Sequence, residues 1–262
     1  MTTPVIMVDD RQDYALLRIN RPDKRNAMNR QARTEMLQAL AALQNGPKVV
    51  VITGTGASYC AGIDLKENVA DREQGITTAN EEWRDVNVAI RRHPAIMIAA
   101  VNGYALGGGV TLINVCDLAI ASETAELGLP EIGFATYPGL SGPSTQLSLG
   151  RKRAGWMILT GKRIDAQTAQ AWGLINQCVP AGELMAAVDA LARQIAQFDA
   201  TALAACKRAL DTIPAVITDW RQAFDFGDLT NASIREATDA QRGGMERFRS
   251  GQRNPGQGRT GR

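Results

Sequence analysis

The sequence holds a single histidine, His93. That scarcity rules out a multi-histidine metal site, and it forces any Ser-His-Asp or Cys-His mechanism to use His93. The residue stands in Arg91-Arg92-His93-Pro94, a helix-ending segment, where a structural or solvent-facing role is expected. Cysteine is sparse as well. Cys60, Cys116, Cys178 and Cys206 lie far apart with no C-x-x-C pair, which argues against a zinc knuckle or redox pair and for reduced, mostly buried thiols. No apolar run reaches the roughly 18 residues of a membrane span, and Met1-Thr2-Thr3-Pro4 lacks a basic, apolar leader. A soluble, cytoplasmic protein with no membrane partner is expected. A formal net charge of +2 gives no electrostatic reason to expect nucleic acid. The glycine turns lack both a following G-K-[ST] and the G-x-G-x-x-G spacing, which demotes nucleotide phosphoryl transfer and dinucleotide redox chemistry.

What is present is ordinary in bulk and informative in order. The 262 residues, 45% hydrophobic and 21% charged, suit one large domain or a domain with a small appendage. Val5–Val8 and Tyr14–Ile19, joined by a polar turn, predict a β-hairpin. Arg30 to Leu43 has helical spacing, and Val49–Ile52 is a short apolar strand. A second glycine-bearing turn runs from Gly54 to Glu67, and Asn68 to Thr78 reads as a mobile polar segment. A helix to about Arg92 precedes the buried strand Ile96–Val101, and Leu118–Ala121 is a further strand. The recurrence of apolar strand, glycine turn and helix suggests a spiral of strands with outer helices, of no assignable period. Tyr137–Pro143 reads as a Pro/Gly-rich loop. Beyond it the chain is helical: about Arg151–Thr160, Asp165–Trp172 with Asp165 as N-cap, Gly182–Phe198, Thr201–Thr212, and on to about Phe248. The segment from Arg247 to Arg262 is basic and rich in Gly, Pro, Gln and Asn, as a flexible end would be.

Two stretches carry chemistry. In Val101-Asn102-Gly103-Tyr104-Ala105-Leu106-Gly107-Gly108-Gly109 a strand feeds three glycines and then a helix, whose N-terminal N–H groups attract negative charge. Tight packing would also explain the glycines. If the strand before the Ala61-Gly62-Ile63 turn is a neighbour, the N–H groups of the two turns converge into an oxyanion hole. With one poorly placed histidine, a carboxylate must handle protons. Glu131, between apolar Leu129 and Ile132 and after Pro130, is the best candidate, because partial burial would raise its pKa; a solvated loop glutamate is the plainer alternative. Asp64 reads as a helix cap and Asp117 as structural.

Together with Arg21-Pro22-Asp23-Lys24-Arg25-Asn26-Ala27-Met28, Tyr59-Cys60-Ala61-Gly62-Ile63-Asp64-Leu65-Lys66-Glu67, Cys116-Asp117-Leu118-Ala119-Ile120-Ala121 and Leu129-Pro130-Glu131-Ile132-Gly133, these motifs resemble the enoyl-CoA hydratase/isomerase (crotonase) superfamily. The likeness is colinear up to Gly244-Met245-Glu246-Arg247-Phe248. It implies an α/β fold, with a ββα-spiral acyl-CoA-binding core over residues 1–195. A helical C-terminal trimerisation region would cover residues 196–262, in a homotrimer or dimer of trimers. It implies an acyl-CoA thioester as substrate, with coenzyme A as part of that substrate and no separate cofactor or metal. The N–H groups of Ile63 and Gly108 would hold the thioester oxygen. Arg25, Asn26, Ala27, Ala61, Asp64 and Leu65 match positions lining the CoA site, and Lys66 matches a phosphate partner.

The departures bear on the reaction. Hydratases of this family hold water with two glutamates; one matches Glu131, but Thr111 stands at the other's position, where its hydroxyl could position water as part of the catalytic site but could not act as a base near neutral pH. Gly139 falls where dienoyl-CoA isomerases and an aryl-CoA dehalogenase carry a catalytic aspartate, which disfavours those reactions. Hydroxycinnamoyl-CoA hydratase-lyases keep the one glutamate, but their phenol-binding tyrosine falls near Phe226 or Asp228. The reading is a lyase adding water to a 2-enoyl-CoA, aliphatic or aryl. Double-bond isomerisation by Glu131 is the alternative; a CoA-ester hydrolase or a non-catalytic CoA- or RNA-binding relative lies further off.

Overall fold

In a computed structural model, residues 4–252 are described. The first unit is the antiparallel hairpin β1 (Ile6–Asp10) and β2 (Ala15–Ile19), then α1 (Arg30–Leu43). Three strand pairs follow: β3 (Val49–Gly54) with β4 (Ser58–Cys60), β5 (Ile96–Val101) with β6 (Tyr104–Leu106), and β7 (Leu118–Ser122) with β8 (Glu126–Gly128). Between them lie α2 (Leu65–Glu73) and α3 (Ala79–Arg92), then α4 (Gly108–Val115). The first strand of each pair enters a six-stranded sheet of order β1-β2-β3-β5-β7-β10, and the second enters a four-stranded sheet of order β4-β6-β8-β9. Each turn of the chain therefore contributes one strand to each sheet before a helix returns it. This is the ββα spiral, and its period escapes the sequence because β4, β6 and β8 span three residues each.

The chain continues through α5 (Ser141–Thr160), β9 (Ile164–Asp165), α6 (Ala166–Trp172), β10 (Gln177–Val179) and α7 (Leu184–Ala196). It ends in α8 (Ala200–Val216), α9 (Trp220–Ala237) and α10 (Ala240–Arg249). The unbroken apolar runs of β3 and β5 follow from burial on both faces. Val50, Ile52, Met97, Ala99 and Val101 pack toward the helices and the small sheet. Their alternates Val49, Val51, Ile96, Ile98 and Ala100 pack against Leu184, Val188, Ala192 and Ile195 of α7.

Two expectations need correction. The segment read as mobile from Asn68 is helical through Glu73. Its polar composition serves ion pairs and caps: Asp64 Oδ1 accepts from the amides of Lys66 and Glu67, Asp71 pairs with Arg30 at 2.8 Å, and Glu67 accepts from the Arg30 amide at 2.7 Å. Held by charge pairs more than by an apolar stripe, α2 shows little helical periodicity. The loop read at Tyr137–Pro143 becomes helical at Ser141, and the helix expected from Arg151 is its second segment, set off by Gly150 at φ 68°.

Other readings find their places. Asp165 caps α6 through the Thr168 amide at 2.7 Å. His93 is buried, its Nδ1 accepting from the Ala95 amide and its Nε2 facing the Leu40 carbonyl, both at 3.1 Å; burial pushes its pKa down. It is a structural residue. Asp117 accepts from the Met97 amide at 2.7 Å and pairs at 2.8 Å with Lys207, so a buried ion pair ties α8 to β5. All four cysteines are free, but only Cys60 and Cys116 are buried; Cys178 is partly covered and Cys206 exposed, because α8 leaves that face open. The α9 and α10 helices contain no buried residue. Most of the basic tail lies outside the described residues.

Candidate active site

The first glycine turn is fixed by the loop before α1. Asn26, fully buried, accepts from the Arg21 amide at 2.9 Å and donates to the carbonyls of Thr55 (2.9 Å) and Ser58 (2.6 Å). Asn102 donates to the same Ser58 carbonyl at 3.2 Å. These side chains do for the turn's carbonyls what a sheet would otherwise do. The Ala61 amide then donates to Arg25 O at 3.0 Å, the Gly62 amide to Cys60 Sγ at 3.3 Å, and the Asp64 amide to Met28 O at 3.3 Å. Met28 in turn donates to Gly62 O at 2.8 Å, making a parallel bridge at Ile63. In such a bridge the middle residue's own N–H faces away from the partner strand. Among the described residues, the Ile63 amide is left without an acceptor.

The second turn supplies the matching donor. Gly107, at φ 52°, is the N-cap of α4, and Gly108 is its first residue. An amide in that position has no acceptor in its own helix. The two turns touch because β4 and β6 are parallel neighbours. A Cβ on Gly62 would stand 2.8 Å from Gly108 N, and one on Gly108 would stand 3.1 Å from Gly62 Cα. A Cβ on Gly109 would stand 2.0 Å from Cys60 O. The glycines therefore serve both readings at once: close packing is what brings the two free amides together.

Glu131 lies in a 3-10 turn, Pro130–Phe134, whose preceding residue Leu129 is buried and anchors it. Its Oε1 accepts from Ser141 Oγ at 3.0 Å, and its buried Oε2 has no partner. A Cβ on Gly107 would come within 2.8 Å of Oε1, so the carboxylate sits directly over the second turn. Burial raises its pKa above the usual 4.5, with the Ser141 hydrogen bond acting against the shift.

These groups share a cavity of about 720 Å³, lined by Ala61, Ile63, Leu65, Gly108 and Glu131 among the residues anticipated from sequence. The size suits a small-molecule ligand. Its other walls come from α2, from Trp83 on α3, and from Phe134, Tyr137 and Leu140. Thr111 does not line it. That residue is buried in α4, its hydroxyl without a partner.

Arg25, Asn26, Ala27, Asp64 and Lys66 stand outside the cavity. Arg25 and Asn26 both adopt positive φ (50° and 56°), a tight loop whose carbonyl at Arg25 holds Ala61. Arg25 and Lys66 are exposed, and Ala27 is buried. Asp64 caps α2 and pairs with Arg21 at 3.0 Å. Burial alone would raise its pKa, but the Arg21 hydrogen bond and the capped amides outweigh it and hold the carboxyl low.

Three supporting residues are not among the anticipated site residues. Arg21, within the quoted loop motif, bridges Asp64 and the Ala27 carbonyl. Ser141 lies in the stretch that reads as loop, and Trp83 stands on α3 with no motif to mark it.

A protein-family model described as enoyl-CoA hydratase/isomerase matches residues 10–250. The chain is 37% identical over 220 residues to a probable enoyl-CoA hydratase of Mycobacterium tuberculosis, covering 80% of this chain and 82% of that one. It is 29% identical over 255 residues to a hydroxycinnamoyl-CoA hydratase-lyase of Pseudomonas fluorescens, covering 93% and 91%. The crystal structure of an enoyl-CoA hydratase from Bacillus anthracis superposes with a TM-score of 0.88 at 30% identity, covering 94% of this chain and 96% of that one.

Proposed function

The chain belongs to the enoyl-CoA hydratase/isomerase family, and from that premise we propose that it adds water across the 2,3 double bond of an enoyl-CoA thioester. The observation that carries this reading is Glu131: among the described residues it is the one carboxylate lining the cavity, half-buried with an unpartnered oxygen, and it sits over the turn that begins with Gly107 and Gly108. The thioester oxygen accepts from the Ile63 and Gly108 amides. As the water oxygen bonds to C3, the C2=C3 electrons move toward the carbonyl and an enolate oxygen develops between the two donors. Backbone donors held in place before the reaction need no reorganisation as that charge appears, and each is worth about 10²–10³ in rate. The Glu131 carboxylate takes the water's proton and delivers a proton to C2, which restores both the thioester and the carboxylate. Its raised pKa suits it to both transfers. Thr111 contributes no second base, being short, buried and outside the cavity.

A single carboxylate also favours a second reading, in which Glu131 moves a proton between C2 and C4 of a 3-enoyl-CoA. In either case the coenzyme A portion would run from Ala61 and Leu65 at the cavity wall toward the loop at Arg25, Asn26 and Ala27 and the start of α2 at Asp64 and Lys66. Homotrimeric assembly, alone or as a dimer of trimers, is part of the same reading. It is supported by exposed Trp220, Phe224, Leu229 and Phe248 on helices that bury nothing within the chain.

The test offers crotonyl-CoA, a 3-enoyl-CoA and a hydroxycinnamoyl-CoA in deuterated water to the wild type and to Glu131→Gln. Hydration predicts a 3-hydroxyacyl-CoA carrying one deuterium at C2, formed far faster by the wild type than by Glu131→Gln. Turnover of only the 3-enoyl-CoA establishes isomerisation instead. Equal activity of both proteins on every substrate removes Glu131 from the mechanism.

A further inference from the structure

The ion pairs of α2 and α3 are sorted by face. Glu67 and Asp71 of α2 and Glu82 of α3 turn toward α1, where Arg30 and Arg33 take them: Arg30–Asp71 at 2.8 Å, Arg33–Glu82 at 2.8 Å, Arg33–Glu67 at 3.8 Å. Two other arginines of these helices, Arg72 of α2 and Arg84 of α3, take no part in those pairs. Arg72 and Arg84 both line the cavity. Neither side chain makes a hydrogen bond or ion pair among the described residues, although Glu73, Glu81 and Asp85 are exposed on the same helices. Each has an asparagine one helical turn before it, Asn68 and Asn80, and both asparagines also line the cavity. Residues four apart share a helix face, so two helices present the same Asn-and-Arg pair to one space. Between that space and the oxyanion turn stands Trp83. Its side chain is 1% exposed, its Nε1 has no partner, and that nitrogen lies 2.7 Å from where a Gly108 Cβ would be. A buried donor without a protein partner calls for an acceptor. Apart from Glu131, no lining residue among those described carries negative charge.

We propose that this wall is an anion subsite, and that the acyl group carries a carboxylate at the end remote from the thioester, received by Arg72 and Arg84. The inference rests on the acyl-CoA reading above and narrows its substrate class. Planar guanidinium groups suit a carboxylate because they can present two parallel N–H donors to its two oxygens. Their other chemically similar partner would be a phosphate of coenzyme A, and the test separates the two.

Dissociation constants are measured for pairs of saturated acyl-CoAs of five to eight carbons, one ending in methyl and one in carboxylate, and for free coenzyme A. Saturated chains cannot be hydrated, so binding is read independently of turnover. The wild type is expected to bind the carboxylate-ended member of a pair at least tenfold more tightly. Arg72→Gln/Arg84→Gln is expected to lose that preference while keeping its affinity for the methyl-ended member and for free coenzyme A. Both arginines are exposed and unpaired, so the variant's melting curve should match the wild type's. Equal weakening toward both acyl-CoAs and free coenzyme A would assign the guanidiniums to the phosphates and overturn the inference. So would a wild type that binds both members alike, which would leave the acyl-CoA reading intact. Failure of the wild type to bind any acyl-CoA would remove that reading and the inference with it.

Discussion

The two sides of the cavity are made of different material. One is backbone: the amides of Ile63 and Gly108, brought together by glycines at 62, 107, 108 and 109 and braced by Asn26 and Asn102. The other is side chain: Leu65, Val69, Arg72 and Arg84 from α2 and α3, facing Phe134 and Tyr137. On the backbone side, an added Cβ at Gly62, Gly108 or Gly109 meets other atoms at 2.8, 2.7 and 2.0 Å. On the side-chain side, Leu65 is 59% exposed, Val69 58% and Phe134 66%. The backbone side leaves no room for variation, whereas the other can change residue without disturbing a core.

Four substitutions would break or sharpen that contrast. The largest effect is expected from Glu131→Gln, which keeps the shape and the Ser141 contact but removes the base; turnover should fall about 10²–10⁴-fold. The same variant has a stability signature. Because the folded pKa of Glu131 lies above 4.5, its contribution to stability is fully present below that value and is lost as pH rises through the folded pKa. Melting scans should therefore show Glu131→Gln gaining on the wild type as pH rises, with the gap closing in acid.

Gly62→Ala comes next. The residue has φ 85°, and its new methyl would stand 2.8 Å from Gly108 N, spoiling the approach of the two amides. The expected loss in kcat is about 10²–10³-fold, the value of one oxyanion donor, with a smaller change in KM. A third variant, Asn26→Ala, removes the side chain that satisfies the Thr55 and Ser58 carbonyls and the Arg21 amide. Urea titration should show a loss of about 1–3 kcal/mol, with kcat falling less than for Gly62→Ala. The smallest effect belongs to Val69→Ala on the other wall: stability within about 0.5 kcal/mol of wild type, but a few-fold change in preference between short and long acyl chains. A stability loss at Val69 as large as that at Asn26 would dissolve the contrast.

The backbone side was the more legible from sequence. Glycines at close approaches have few substitutes, and two glycine turns after buried strands point to converging amides from the sequence alone. Glu131 could be picked out because the lone histidine excluded the usual proton handler and Pro130 and Leu129 announced a half-buried turn. The helix α1 was readable to its ends, since its apolar positions repeat at helical spacing. The side-chain wall was not readable. In α2 the stabilising contacts are charge pairs to Arg30 and a cap at Asp64, so the segment looks like a polar loop; Arg72 then has no helix to be placed on. Ser141 was missed because Pro138, Gly139, Gly142 and Pro143 mask a helix start. The three-residue strands β4, β6 and β8 are too short to show alternation, though they align the two turns. Asn26 was anticipated at the coenzyme A site by resemblance, and the structure gives its side chain to the carbonyls beneath the turn.

The most direct test of Glu131 as the desolvated acid–base group is the pH dependence of kcat/KM for crotonyl-CoA. A group that must be ionised to accept the water's proton produces a fall in rate on the acid side, and burial of Glu131 places that fall above the ordinary glutamate value of 4.5. The predicted result is a single acid limb with its midpoint above 4.5, absent from the residual activity of Glu131→Gln. A limb centred at or below 4.5, or one that survives unchanged in Glu131→Gln, would contradict it.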